Sequence, residues 1–399
     1  MKLLGIGTRW MIAALLLAWS GFSAADPHAR AKPEDYVLKS DLMLSTGQVL
    51  PAGTRWYRPP DVARLRRELA DDKYQGDVER AKRILFGYKL LYSTYYTIGD
   101  GRKDGKPSLA KGRVMSCANC HAQGGTVPFA WPFFRTLTFY GLRENGDRGV
   151  YFGGLAYHRD ARTRARDCGL ECGGEVRIPD NSYEMDALIA WMTAIRDGIY
   201  PGEGLLIPAF KTKDDVDKIP GARVPLFRDI LDMQADPERG KALFSNRCAS
   251  CHGKDGKGRW GAEEGYRFPP LSGDGSFSHA GGPLMVPVGA AFLHRNMPLS
   301  EPGMLSEQQA LDVMAYIATL PRRSVWWQDY YFRHDPCSRP PFLTLKVGVV
   351  PKGFPFSKDQ VQFGPWREIA EWLASDSCKS RNPPGEQPLT KDFDAAGPR

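Results

Sequence analysis

Apolar positions recur at helical spacing in four stretches of this chain, and each stretch carries its own start or stop signal. From about residue 77, Ala81, Ile84, Leu85, Tyr88, Leu91, Tyr92 and Tyr95 share one face. A second stripe runs through Met185, Leu188, Ile189, Met192 and Ile195. Asn181 is placed as its N-cap, Glu184 follows three residues later, and Gly198 can end it in the left-handed conformation. Asp236-Pro237 starts a third helix, in which Gly240 and Phe244, four apart, share a face. The fourth carries Ser306 and Gln309 as a capping box, then Ala310, Val313, Met314 and Ile317, and stops at Pro321. Stripes of this kind are core faces and carry no chemistry by themselves.

The connecting segments differ in character. Residues 1–25 have the form of a secretory signal. Lys2 and Arg9 flank an apolar run over residues 10–19, and Ser23-Ala24-Ala25 offers small residues for cleavage. That run is short for a membrane span, and no later stretch is apolar enough for one, so no transmembrane anchor is expected after cleavage. Residues 26–76 are polar and broken by Pro33, Pro51, Pro59 and Pro60, predicting an extended leader with one short helix over 62–69. Residues 122–180 lack long periodicity and are rich in aromatics, too long for an idle loop and suited to wrapping a ligand or cofactor. Residues 201–235 suit a linker. Residues 322–399 form an irregular, aromatic and proline-rich tail, with Trp326, Trp327, Tyr330, Tyr331 and Phe332 expected to pack it onto the rest.

With 399 residues, two or three cores are expected. The formal net charge of +8 falls by two if Lys2 and Arg9 leave with the signal. A mildly basic surface favours anionic substrates or acidic electron carriers. The basic residues are too dispersed for a nucleic-acid module.

Eight cysteines are present, and four of them fall in a repeated pentapeptide, Cys117-Ala118-Asn119-Cys120-His121 and Cys248-Ala249-Ser250-Cys251-His252. CxxCH is the pattern for covalent attachment of c-type haem: both thiols add to the porphyrin vinyl groups, and the histidine becomes the proximal ligand. A closed zinc site would need to pair two CxxC units from distant parts of the chain. A thioredoxin-like pair gives no reason for a histidine after both copies. The expected cofactors are therefore two covalently bound c-type haems. Each motif lies between two of the helical stripes, which is the small cytochrome c plan. The expected fold is mainly α: two tandem cytochrome c domains, 77–200 with haem 1 and 236–321 with haem 2, followed by the tail 322–399.

The sixth iron position is the open question at each site. In the second domain Met297, within Asn296-Met297-Pro298, stands where a thioether ligand belongs, with Met285, Met304, His279 and His294 as competitors. In the first, no methionine lies between His121 and Asp180. Cys168 and Cys172 follow Arg159, Arg162, Arg164 and Arg166, whose charges favour a thiolate. His158 is the conventional alternative, and a Cys168–Cys172 disulfide is another. Around the tail, a Cys337–Cys378 disulfide is expected, worth about 3–4 kcal/mol in the chain-entropy model.

From about Phe86 to Glu368 the chain resembles the dihaem thiosulfate dehydrogenases, periplasmic cytochromes that couple thiosulfate to tetrathionate. The likeness lies in F-G-Y-K-L-L, M-S-C-A-N-C-H with G-G-T-V-P-F after it, and R-A-R-D-C ending at Cys168. It continues through S-Y-E-M-D-A-L-I-A-W-M, C-A-S-C-H-G, N-M-P-L and F-S-K-D-Q-V-Q-F-G-P-W. The resemblance implies Cys168 as distal ligand of a catalytic first haem, Arg164 beside it, and Met297 on the second haem. It also implies a small anionic sulfur substrate, an external redox carrier and a periplasmic location. The chain departs by a longer insertion between His121 and Cys168 and by the extra cysteines Cys172, Cys337 and Cys378. Two other functions stand beside this one: a dihaem electron carrier without its own substrate, and the haem subunit of another sulfur-oxidising complex. The latter fits less well, since such subunits seldom carry an N-M-P-L domain.

Overall fold

The computed structural model describes residues 31–112, 114–141, 150–152, 155–173, 176–261, 265–279, 281–323, 337, 341 and 351–381. These are mainly helical, and their strands pair only as four two-stranded antiparallel ribbons. The signal segment and the tail aromatics from Trp326 to Phe332 lie outside the described residues.

Short helix α1 (Val62–Ala70) precedes α2 (Val78–Tyr92), which Asp77 caps by accepting from the Arg80 N–H at 3.0 Å. Helix α2 buries Ala81, Ile84, Gly87, Leu90 and Leu91 against α4 (Tyr183–Asp197). Leu85 and Tyr88, on the predicted stripe, are half-buried at its edge. Ser182, rather than Asn181, caps α4, its hydroxyl accepting from the Met185 N–H at 3.1 Å. Its extended backbone puts the hydroxyl under the first unpaired N–H groups of the helix. Gly198 ends α4 at φ 85°.

Two expectations about the segments around this pair need correction. The extension before residue 77 is no loose leader from residue 31 onward. Tyr36, Trp56, Tyr57 and Leu65 are buried in the first core, and Tyr57 pairs with Leu205 across a ribbon. Trp56 and Tyr57 meet Phe134 edge-on with ring centroids 5.2 and 4.7 Å away, so large aromatic surfaces outweigh the polar composition of this stretch. The segment 201–235, expected as a linker, packs onto both cores, with the stretch 211–214 exposed between the anchors. Phe210, Val216 and Ile219 belong to the first core, and Phe227, Ile230 and Ala235 to the second.

The second core forms around α5 (Pro237–Arg247), α6 (Val286–Asn296) and α7 (Glu307–Thr319). Asp236 caps α5, Pro237 opens it, and the Ser306/Gln309 box starts α7. Gly240 and Phe244 are buried against α7. Asp312, buried on α7, accepts both Arg239 Nε (2.8 Å) and Nη2 (3.0 Å), and the Asp236 N–H at 2.9 Å. Its charge is thus paired inside the crossing that holds α5 on α7.

The described part of the tail is also more ordered than its composition suggests. Helices α8 (Lys358–Phe363), α9 (Arg367–Ala374) and α10 (Asp376–Arg381) bury Val361, Trp366, Ile369 and Leu373 in the second core. Backbone bonds from Ala235 to Phe363 and from Trp366 to Leu231 sew it on. A disulfide joins Cys337 to the buried Cys378, with Cα atoms 6.0 Å apart.

Candidate functional site

Both motif histidines are held in the same way. His121 lies with Nδ1 2.5 Å from the Trp131 carbonyl, and His252 with Nδ1 2.9 Å from the Pro269 carbonyl. A carbonyl only accepts, so each Nδ1 carries the proton and donates, and each Nε2 is left with its lone pair free for a metal. Burial pushes the His252 imidazolium toward the neutral form, the form that ligates. The cysteines of each motif sit in tight turns before the histidine. Cys117 opens a short 3-10 turn whose backbone is tied down by Thr94, the Thr94 hydroxyl accepting from the Cys117 N–H at 3.1 Å. Burial pushes the thiols up, Cys117 and Cys248 to about 11 and Cys120 to about 12.

Cys168 lies opposite the first histidine. It stands on α3 (Ala161–Glu171), a helix where the sequence showed no long periodicity, capped by Asp160 accepting from the Thr163 N–H at 2.7 Å. The Cys168 sulfur is 4.0 Å from His121 Nε2. At that separation the nitrogen and the sulfur could both ligate one metal ion. The Cys168 thiol is pulled well below its ordinary range, first by the thiol of Cys172 one turn on, then by His121 and by the charge of Arg164; burial opposes them. Of the arginines before it, Arg162 pairs with Asp186 at 2.6 Å and Arg166 with Asp180 at 3.3 Å. Those two secure α3 to its neighbours, and the charge of Arg164 acts on the sulfur. His158 lies on the Leu155–Arg159 strand just before α3. Neither Cys168 nor Cys172 is in a disulfide, so the alternative bond between them is not formed.

Around the second motif lies an apolar cavity with about 980 Å³ of empty space, part of it open to solvent. Cys248, Cys251, His252 and Met297 all line it, with Trp131 and Phe292 on one wall. Of the competitors to Met297, His294 is engaged by the Leu305 carbonyl at 2.7 Å, His279 is buried elsewhere, and Met285 caps α6. None of these three lines the cavity, nor does the exposed Met304, whereas Met115 and Met314, not singled out in the sequence, do. An apolar slot with two thiols and an imidazole at one side and a thioether within it fits a c-type haem.

Comparison with known proteins agrees. Residues 237–321 match the cytochrome c family model. The thiosulfate dehydrogenase of Psychrobacter arcticus is 26% identical over 216 residues, 53% of this chain and 57% of that protein. The enzyme of that name from Stutzerimonas stutzeri is 25% identical over 315 residues, 78% of this chain and 85% of that protein. The chain is thus similar to thiosulfate dehydrogenases, and its residues 237–321 match cytochrome c. A solved structure of thiosulfate dehydrogenase (TsdBA) from Marichromatium purpuratum shares the fold. Its TM-score is 0.50 at 23% identity, over 65% of this chain and 52% of that one. The chain thus spans little more than half the length of the Psychrobacter relative and of the solved chain.

Several residues around the two sites gave no signal in the sequence. Thr94, Trp131 and Pro269 act through a hydroxyl or a main-chain carbonyl, which any residue type can offer. Asn296, next to Met297, is buried, and its amide donates to the Phe129 carbonyl at 2.9 Å and the Phe292 carbonyl at 3.0 Å. Its position between a Cys-His motif and a capping box was the available hint. Among the described residues no helix is long and apolar enough to cross a membrane.

Proposed function

We propose that this protein is a periplasmic dihaem enzyme joining two thiosulfate dianions through their outer sulfurs to form tetrathionate, with release of two electrons. The observation that carries the reading is Cys168, 4.0 Å from His121 Nε2 and under the charge of Arg164. An electron carrier has no need of a cationic side chain beside a thiolate, whereas an enzyme that binds a sulfur dianion does.

In this reading the chain forms two tandem cytochrome c domains, each attaching one haem through its CxxCH motif. His121 and Cys168 would hold the first iron, and His252 and Met297 the second. Haems bound there would supply one-electron acceptors for passage to an external carrier, the thiolate of Cys168 favouring a lower potential and the thioether of Met297 a higher one. Arg164 binds a sulfonate oxygen by charge-assisted hydrogen bonds and orients the outer sulfur toward Cys168. Cys172 donates to the Cys168 sulfur and favours its anionic form. The N-terminal segment with Lys2 and Arg9 directs export, and the compartment it reaches accommodates the Cys337–Cys378 disulfide.

Steady-state oxidation of thiosulfate with an artificial acceptor tests the reading. Turnover with tetrathionate as product supports it, and reduced haem without turnover would make the protein a carrier. Intact mass should exceed the mature polypeptide by two haem groups, and an increment of one would remove the tandem.

A further inference from the structure

Two bulky residues near the first motif adopt left-handed backbone conformations, Phe129 at φ 61° and Trp131 at φ 45°. For non-glycine residues this is strained, and such strain persists only where the surroundings over-determine it. Here they do. The Phe129 N–H donates to the Gly221 carbonyl at 2.7 Å, and the Arg295 guanidinium covers its ring at 4.6 Å. The Trp131 ring is stacked on Phe292, centroids 4.2 Å apart and planes within 8°.

The consequence of the strain is the direction of two carbonyls. The Trp131 carbonyl meets His121 Nδ1 at 2.5 Å, and the Phe129 carbonyl meets the amide of Asn296 at 2.9 Å. His121 belongs to the first CxxCH motif, and Asn296 is joined to Met297. We propose that the strap Phe129–Ala130–Trp131 is a positioning element for both iron sites, orienting the His121 ligand through one carbonyl and anchoring the Met297 ligand through the other. The Trp131 indole locks the strap by its stack on Phe292 and forms part of the second cavity's wall. The inference rests on His121 and Met297 as iron ligands.

Redox titration and axial-ligand spectroscopy of the holoprotein test it. Asn296→Ala should lower the midpoint of the thioether-ligated haem and weaken its thioether signature, leaving the spectrum of the other haem in place. Trp131→Gly accepts the left-handed backbone but loses the lock, and should shift both midpoints. Trp131→Phe, which can restack on Phe292, should restore them. If Trp131→Gly does not accumulate, Phe292→Leu removes the same stack and is read in the same way. Variants that lose thermal stability while both midpoints and both spectra stay at parental values would overturn the strap. A parent without any thioether signature would instead overturn the Met297 assignment and the Asn296 half of the proposal. Trp131→Gly would still decide the His121 half.

Discussion

Gly87 of α2 lies so close to Ala187 of α4 that a β-carbon on it would stand 2.1 Å from the Ala187 carbonyl oxygen. The same relation recurs in the second core, where a β-carbon on Gly240 would stand 1.8 Å from the Asp312 carbonyl oxygen. In each half the helix that leads toward a CxxCH motif meets the closing helix backbone to backbone at a glycine. Neither contact is with a flexible side-chain tip, so the only relief is separation of the helices.

Gly87→Ala and Gly240→Ala should therefore each destabilise the fold, by at least the roughly 1–3 kcal/mol typical of overpacking, despite the better helix propensity of alanine. Urea midpoints of the holoprotein check this. A variant as stable as the parent would show that the crossing can open without cost.

The two crossings also show what the sequence made legible. Gly240 stood out because Phe244 followed it at helical spacing and Cys248 came next. Gly87 lies inside a stripe dense with tyrosine and leucine, where an apolar count passes over it. Both closing helices were readable from capping residues and periodicity, with an error of one residue at Ser182. Local rules failed where tertiary contact decides. The aromatic anchoring of Tyr36, Trp56 and Tyr57, and the anchoring of 201–235 through residues such as Phe210 and Phe227, depend on partners far away in the chain. At the site, the cysteines and histidines declare themselves by spacing. The carbonyls of Trp131, Pro269 and Phe129 cannot, since every residue carries one.

Reduction of Cys337–Cys378 should loosen the tail selectively. The bond closes 41 residues of sequence separation, which in the chain-entropy model is worth about 4 kcal/mol. The Cys337→Ser, Cys378→Ser double variant should lose stability of that order and become sensitive to proteolysis within 338–377. Peptide mapping without reductant should find the two cysteines in one linked pair. Recovery of both in alkylated form would show that packing of Trp366 and Leu373 suffices.

Met297→Ala should lower the midpoint of one haem and leave the other in place, because a thioether donor raises the potential of the iron it binds. The competitors have changed with the structure in hand. Met285, His279 and His294 lie off the cavity, while Met115 and Met314 line it with Met297. Two unmoved midpoints would pass the role to one of those two. Met314 is the harder to recruit, since its sulfur is packed where a β-carbon on Gly289 would lie, 2.4 Å away.

Cys168 and Arg164 can be separated by their readouts. Cys168→Ala should keep both haems and change the axial spectrum of one. Thiosulfate oxidation should fall by about 100-fold or more, since removing a group that acts at the reacting centre lowers turnover itself. Arg164→Lys keeps a positive charge near the sulfur but loses the planar fork that matches a sulfonate edge. Charge-assisted hydrogen bonds are worth about 1.5–3 kcal/mol, so KM should rise about 10- to 100-fold while the haem spectra stay close to parental. The arginines at 162 and 166 supply the control. Their partners are Asp186 and Asp180, so Arg162→Lys and Arg166→Lys should alter stability more than KM. A larger KM effect at either one would place the anion on the wrong guanidinium. Spectra unchanged in Cys168→Ala but altered in Cys172→Ala would move the ligand one helical turn along α3. Spectra that change only in His158→Ala would make the first haem bis-histidine, and with it the protein an electron carrier.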